Sequence, residues 1–124
     1  MLKKYGLTPS MYPPGPGGTI PEALNRTENH DKLVASMLAA IDEAAANGVP
    51  NIITFSGNRK GMDDRLGADN CVAALNRMKA KAEDKGVTIC MEYLNSKVNH
   101  KDYMFDHIAC RVREFNRGLE RTCA

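Results

Sequence analysis

The sequence has no tryptophan, few other aromatic residues and only four cysteines: Cys71, Cys90, Cys110 and Cys123. No C-x-x-C pair occurs, so neither a zinc-binding motif nor a compact disulfide framework is indicated. No apolar run approaches the roughly 20 residues that span a bilayer. The 17 basic residues are interspersed with 15 acidic ones, without long blocks of like charge. This pattern gives no support for a membrane-bound or nucleic-acid-binding protein.

What remains is the composition of an ordinary soluble protein, with 43% hydrophobic and 26% charged residues in 124 residues. That length corresponds to one domain at most, and we take 1–124 as a single unit. The first residues, 1–6, lack the apolar segment of a secretory signal. We therefore expect reduced thiols and a cytoplasmic location.

A recurring turn organises the chain. Around Gly6, Gly48 and Gly86, a helical pattern ends, glycine follows, and a short apolar segment begins. Glycine suits the position after a helix because it adopts the left-handed conformation without a Cβ clash. The repetition predicts an alternation of helices and strands.

Hydrophobic spacing places the individual elements. Apolar residues three and four apart predict a helix around 33–45, capped by Asn29 or Asp31. We predict a second helix from about Ala68 to Lys85 and a third from near Lys101 or Asp102, carrying Phe105, Ile108 and Val112. The predicted strands are 7–11, 51–56 and 87–92, of which the last two show little polar alternation. Strands of this kind suit a parallel sheet with helical crossovers.

Two α/β architectures fit this order, a small doubly wound sheet or part of a (β/α)8 TIM barrel. About three consecutive βα units leave both sheet edges open, so self-association through those edges is expected. A complete barrel takes about 250 residues. In the barrel interpretation this sequence is therefore a partial barrel.

In both architectures functional residues collect after the carboxyl ends of the strands. The first such loop is rich in proline and glycine but lacks the Lys-Ser/Thr of a phosphate-binding loop. The second loop supplies the Ser56 hydroxyl and the Arg59 guanidinium. The guanidinium could pair with a substrate carboxylate. The alternative is that Arg59 and Lys60 are solvated loop charges.

Glu92 ends the third apolar strand and is the sharpest candidate. A carboxylate at that point faces the mouth of the sheet, where it could meet a hard cation or a substrate hydroxyl. The polar loop behind it contains Asn95, and His100 and Asp102 could also reach the mouth. The alternative is a surface glutamate that begins a polar loop.

Two segments carry a family resemblance: NIITFSGNRKGM, residues 51–62, and GVTICMEYLNSKVNHKDYMFDH, residues 86–107. Both resemble the hydroxypyruvate isomerase family, one of the xylose isomerase-like TIM-barrel families of sugar-acid metabolism. The similarity extends over residues 2–109 and is strongest over 51–107.

The resemblance implies a (β/α)8 barrel that interconverts hydroxypyruvate and 2-hydroxy-3-oxopropanoate (tartronate semialdehyde) through an enediolate. It implies that Glu92 is one of two opposed catalytic glutamates, and also a metal ligand in relatives that use Mg²⁺ or Mn²⁺. Asn95 is expected to support the loop or the substrate. Arg59 and Ser56 are candidate contacts for the small sugar-acid substrate.

The sequence departs from that family after the second segment. Relatives continue with a segment resembling YDIYHMQ, whose Asp is a metal ligand, and with a second catalytic Glu, neither of which we find here. Residues 110–124 diverge. We interpret the sequence as truncated or frameshifted and expect little or no isomerase activity from it alone. The alternatives are a non-catalytic half-barrel interaction module and a small α/β domain that binds an anionic metabolite at residues 56–61.

Overall fold

The structure, a computed structural model, describes residues 2–16 and 18–107. Two long helices alternate with two short strands in the order α1 (His30–Ala46), β1 (Asn51–Thr54), α2 (Asp64–Lys85) and β2 (Thr88–Met91). Single turns of 3₁₀ helix lie before α1, at Leu2–Tyr5, Ile20–Glu22 and Thr27–Asn29. The alternation predicted from the glycine turns is confirmed, and Gly6, Gly48 and Gly86 have left-handed φ angles of 64°, 66° and 64°.

The two strands form a parallel pair whose register runs from Asn51 opposite Thr88 to Thr54 opposite Met91. Helix α2 connects them, so β1, α2 and β2 form one βαβ unit. Both strands were predicted from the sequence, and each is shorter than its predicted range.

The predicted first strand, 7–11, is wrong. Only the next residue, Tyr12, pairs with β1, in a single parallel bridge to Ile52. The Tyr12 N–H donates to the Asn51 carbonyl at 2.8 Å, and the Ile53 N–H donates to the Tyr12 carbonyl at 3.1 Å. Prolines on both sides of this residue, at 9, 13 and 14, lack the N–H that a longer ladder needs.

The third helix does not begin at Lys101 or Asp102, since residues 101–107 form turns and extended chain. Backbone donors that would close helical turns are used elsewhere. The Met104 N–H donates to the Gly57 carbonyl at 2.9 Å, and the Phe105 N–H donates to the Ser56 hydroxyl at 3.1 Å. The rest of that predicted helix, including Ile108 and Val112, lies outside the described residues, as does the divergent tail 110–124.

Helix α2 begins four residues before the predicted start, because Asp63 caps it. The Asp63 Oδ1 accepts hydrogen bonds from the N–H groups of Arg65 and Leu66, both at 3.0 Å. Gly67 in its first turns lies against Met104, whose sulfur would be 2.3 Å from an added Cβ. Helix α1 begins where predicted, but Asn29 stands at its N-cap position without a side-chain capping bond.

Both helices pack on one face of the strand pair. In β1, Ile52 and Thr54 are buried on that face, while Ile53 is half-buried on the other. In β2, Ile89 and Met91 contact the core. Because side chains alternate along a strand, Thr88, Cys90 and Glu92 lie on the opposite face. The core cluster comprises Leu24, Leu33, Val34, Met37, Ala40, Ile41, Ala44, Val49, Ile52, Cys71, Ala74, Met78, Ala82 and Val87.

Candidate active site

Glu92 lies at the carboxyl end of β2, beside the end of β1. Its N–H donates to the Thr54 carbonyl at 2.9 Å, which extends the ladder one residue beyond the strand. Strand alternation directs its side chain to the face turned away from α1 and α2. Within residues 2–16 and 18–107, no hydrogen bond or ion pair holds the partly exposed Glu92 carboxylate.

Ser56, the other candidate at these strand ends, is 1% exposed. Its hydroxyl accepts the Phe105 N–H at 3.1 Å, and its carbonyl accepts the Asn25 N–H at 2.9 Å. Ser56 is two residues beyond Thr54, so both lie on the helix side of the sheet, whereas alternation places the Glu92 side chain on the other side. The structure therefore brings the backbones of Ser56 and Glu92 together but separates their side chains. A contact between Ser56 and substrate stays a prediction.

Arg59 lies in the loop after β1, where its guanidinium is surrounded by acceptors. Nε donates to Asp64 Oδ1 at 2.7 Å and Nη2 donates to Asp106 Oδ1 at 2.9 Å. Nη1 donates to the Tyr103 carbonyl, and Nη2 also reaches the Met104 carbonyl at 3.3 Å. A substrate carboxylate would have to displace one of these acceptors, so the binding role of Arg59 stays a prediction.

The ion pairs also shift the titration of these groups. Partial burial alone lowers the pKa of the Arg59 guanidinium, but the hydrogen bonds to Asp64 and Asp106 outweigh burial and raise it. Burial alone raises the pKa of Asp106, but hydrogen bonds from Arg59 and Ser96 outweigh burial and hold that pKa below its ordinary value. Both groups are therefore charged at neutral pH, and together they tie the loop after β1 to the segment Tyr103–Asp106.

This shift predicts an acid-sensitive stability. The Asp106 carboxylate in the folded protein resists protonation more than in the unfolded chain, so its stabilising effect is present above the unfolded pKa and is lost as pH falls through the folded pKa. We expect Asp106→Asn to lower the free energy of unfolding at pH 7 by about 1.5–3 kcal/mol. The difference from wild type should shrink below about pH 4 in urea unfolding.

The control for that measurement is Asp69→Asn, which changes an exposed carboxylate on α2. It should leave both the stability at pH 7 and the acid profile near those of wild type. A wild-type acid profile that is unchanged in Asp106→Asn would contradict the assignment.

Asn95 begins the loop after Glu92 and is exposed. Its Oδ1 accepts the Lys97 N–H at 2.9 Å, and its carbonyl accepts the His100 N–H at 3.0 Å. These two bonds close the turn of the loop, as a loop-supporting residue would do. A contact between Asn95 and substrate stays a prediction.

The sequence analysis did not single out Tyr103, although its side chain is fully buried. The Tyr103 hydroxyl accepts the Ser56 N–H at 3.1 Å and donates to the Glu92 carbonyl at 2.9 Å. Burial raises the pKa of this phenol above its ordinary value, so the hydroxyl keeps its proton. The one sequence signal for Tyr103 is that it is an aromatic residue within a polar loop.

A family model described as xylose isomerase-like TIM barrel matches residues 1–118. The chain belongs to the xylose isomerase-like TIM barrel family. This family assignment selects the partial barrel over the doubly wound sheet, and the two helices and two parallel strands agree with it. The family includes sugar isomerases and other enzymes. No curated protein matches the sequence.

This xylose isomerase-like barrel segment has a cleft between the segment that precedes α1 and the loops that follow β1 and β2. Its volume is about 390 Å³, and its walls come from Ile20, Asn58 and residues 98–102, including the half-buried His100. Asp102 is fixed in this wall because its Oδ2 accepts the Lys60 N–H at 2.9 Å. Whether His100 and Asp102 take part in the site stays a prediction.

Metal binding needs more ligands than this part of the barrel provides. The described ranges contain no group of three or more His, Cys, Asp or Glu side chains arranged to hold a metal ion. Glu92 would contribute a single carboxylate, so these residues do not by themselves fit a Mg²⁺ or Mn²⁺ centre. The same ranges also contain no helix that combines the length and apolar character required to cross a bilayer.

Proposed function

We propose that this chain carries one of the two acid/base groups of a barrel isomerase for a small sugar acid, and that this group is the Glu92 carboxylate. One observation carries the proposal. Glu92 directly follows the last residue of a parallel strand, where strand alternation places its side chain on the face turned away from the helices. Barrel enzymes build their active sites at this end of the strands.

The proposed reaction interconverts hydroxypyruvate and 2-hydroxy-3-oxopropanoate. A base removes a proton from C3 of hydroxypyruvate, and the electron pair forms an enediolate between C3 and C2. The proton of the C3 hydroxyl moves to the C2 oxygen, and an acid delivers a proton to C2, which leaves an aldehyde at C3 and a hydroxyl at C2. Glu92 is suited to one of these transfers, and the resemblance of residues 86–107 to hydroxypyruvate isomerases supports this substrate class.

We expect the chain alone to be inactive, because one carboxylate cannot serve opposite faces of the enediolate. We propose that a later part of a barrel supplies the second glutamate. A Mg²⁺ or Mn²⁺ ion with Glu92 as one ligand stays an expectation from the family resemblance, because the described residues do not provide the other ligands. Arg59, Asn95 and Ser56 remain the candidate substrate contacts, and the cytoplasmic location remains an expectation from the sequence.

The experiment is a turnover assay with hydroxypyruvate in three samples: the chain alone, a polypeptide carrying the second half of a family barrel, and both together. We expect turnover only when both are present. Substantial turnover by the chain alone, if lost in Glu92→Gln, would keep the role of Glu92 but overturn its proposed dependence on a second half.

A second candidate is an interaction module that associates with its own copies. In the described residues, β2 pairs only with β1, and Ile53, Phe55 and Cys90 are half-buried on the face without helices. Apolar surface beside an unpaired strand edge favours association. We expect the weight-average mass in sedimentation velocity to rise with protein concentration. A monomer across the whole concentration range would contradict this candidate.

A further inference from the structure

The hydrogen-bond ladder between β1 and β2 follows the even spacing of a parallel pair. The Thr88 N–H donates to the Pro50 carbonyl and the Glu92 N–H donates to the Thr54 carbonyl, both at 2.9 Å. With this register, the next bond of the ladder would run from the Ser56 N–H to the Glu92 carbonyl.

The Tyr103 hydroxyl occupies the place of that next bond. It accepts the Ser56 N–H at 3.1 Å and donates to the Glu92 carbonyl at 2.9 Å. Both groups that would have bonded directly are therefore satisfied through one inserted oxygen. This bridge lies at the ends of both strands, at the backbone of Glu92.

We infer that Tyr103 is a positioning residue, a hydroxyl wedge that holds the ends of β1 and β2 apart and thereby sets where Glu92 stands. The wedge itself rests only on the ladder geometry, whereas its value for catalysis rests on the proposed function of Glu92. Two hydrogen bonds and complete burial of the ring fix Tyr103 in place. The Tyr103 carbonyl accepts from Arg59, the Tyr103 N–H donates to the His100 carbonyl at 2.9 Å, and the ring is fully buried.

The substitution Tyr103→Phe tests the wedge because it removes one oxygen and keeps the ring. The Ser56 N–H and the Glu92 carbonyl must then either remain unpaired or close into a direct bond, and the Glu92 backbone shifts in the second case. We expect amide exchange at Ser56 to change by about tenfold, faster if the groups stay unpaired and slower if they close. We also expect the Glu92 carboxyl ¹³C resonance to move.

Tyr93→Phe is the matched control. Tyr93 is 47% exposed and contacts Phe105 edge-on through its ring, at 6.4 Å between centroids. Removing the Tyr93 hydroxyl should leave the exchange rate of the Ser56 amide and the Glu92 carboxyl resonance unchanged. If Tyr103→Phe, like Tyr93→Phe, changes neither the Ser56 amide exchange nor the Glu92 resonance, the inference that Tyr103 acts as a wedge is wrong.

The wild-type chain provides a second test that needs no folded variant. The Tyr103 hydroxyl proton should exchange slowly enough to be observed at low temperature and should show a nuclear Overhauser effect to the Ser56 amide proton. Rapid exchange of that proton, without the cross-peak, would overturn the inference.

Turnover separates the two claims. In a reconstituted barrel, Tyr103→Phe should lower kcat while KM stays near wild type, because the reacting carboxylate is displaced and the substrate contacts are not. An absence of wild-type turnover in that assay would count against the function of Glu92. The exchange and resonance measurements on the chain would still decide whether the wedge exists.

Discussion

Replacing Arg59 with alanine is expected to lower the free energy of unfolding by about 3–5 kcal/mol, measured by urea denaturation at pH 7. The Asp106 side chain is only 7% exposed, so the substitution leaves a buried carboxylate without its cation. It also removes the bonds that tie the loop after β1 to Asp64 at the start of α2 and to the carbonyl of Tyr103. The substitution thus removes hydrogen bonds from one side chain to both α2 and the segment Tyr103–Asp106.

Arg65→Ala is the matched control, since Arg65 is an exposed arginine on the first turn of α2. It should change stability by no more than about 0.5 kcal/mol. Arg59→Lys should fall between the two, because lysine keeps the charge but not the fork that bonds several acceptors. Adding Asp106→Asn to Arg59→Ala should restore part of the loss. Equal stabilities of Arg59→Ala and Arg65→Ala would contradict the role of Arg59.

Replacing Glu92 with glutamine is expected to lower kcat/KM in the reconstituted barrel by about 10²–10⁴-fold. Glutamine keeps the shape and polarity of the side chain but cannot accept and return a proton. Because no described hydrogen bond holds the Glu92 carboxylate, the free energy of unfolding should change by less than about 0.5 kcal/mol. A large loss of activity without a loss of stability distinguishes a reacting group from a structural one.

Glu28→Gln, at an exposed position in the 3₁₀ turn before α1, serves as the control. Its turnover should equal that of wild type. Wild-type turnover in the Glu92→Gln barrel would remove Glu92 from the proposed chemistry. A parallel fall in stability would instead mark it as a structural residue.

Much of the fold follows from local sequence signals. Apolar spacing located both helices, and Gly48 and Gly86 marked the left-handed turns that end them. The predicted element boundaries were wrong where contacts between residues distant in sequence determine the structure. Helix α2 begins earlier than predicted, and its first turns include Gly67, whose small size is required by Met104, far along the chain. The first strand was reduced to the Tyr12 bridge by the neighbouring prolines, which lack the N–H that a longer ladder needs.

The site was predictable only in part, for the same reason. The position of Glu92 follows from an apolar strand that ends in a carboxylate. The partners of Arg59 do not, because Asp106 lies 47 residues away and belongs to a segment that periodicity assigned to a helix. The wedge of Tyr103 depends on strand register, which no single segment of the sequence encodes.

The most direct test of the central claim, that Glu92 moves a proton at the mouth of a barrel, is the fate of substrate hydrogen during turnover in D₂O. In the proton NMR spectrum of the product from the reconstituted barrel, we expect the C2 proton signal to be lost because solvent deuterium is incorporated there. Both incorporation and turnover should fall in Glu92→Gln. Isomerisation with full retention of the substrate hydrogen, at a rate unchanged by Glu92→Gln, would contradict it.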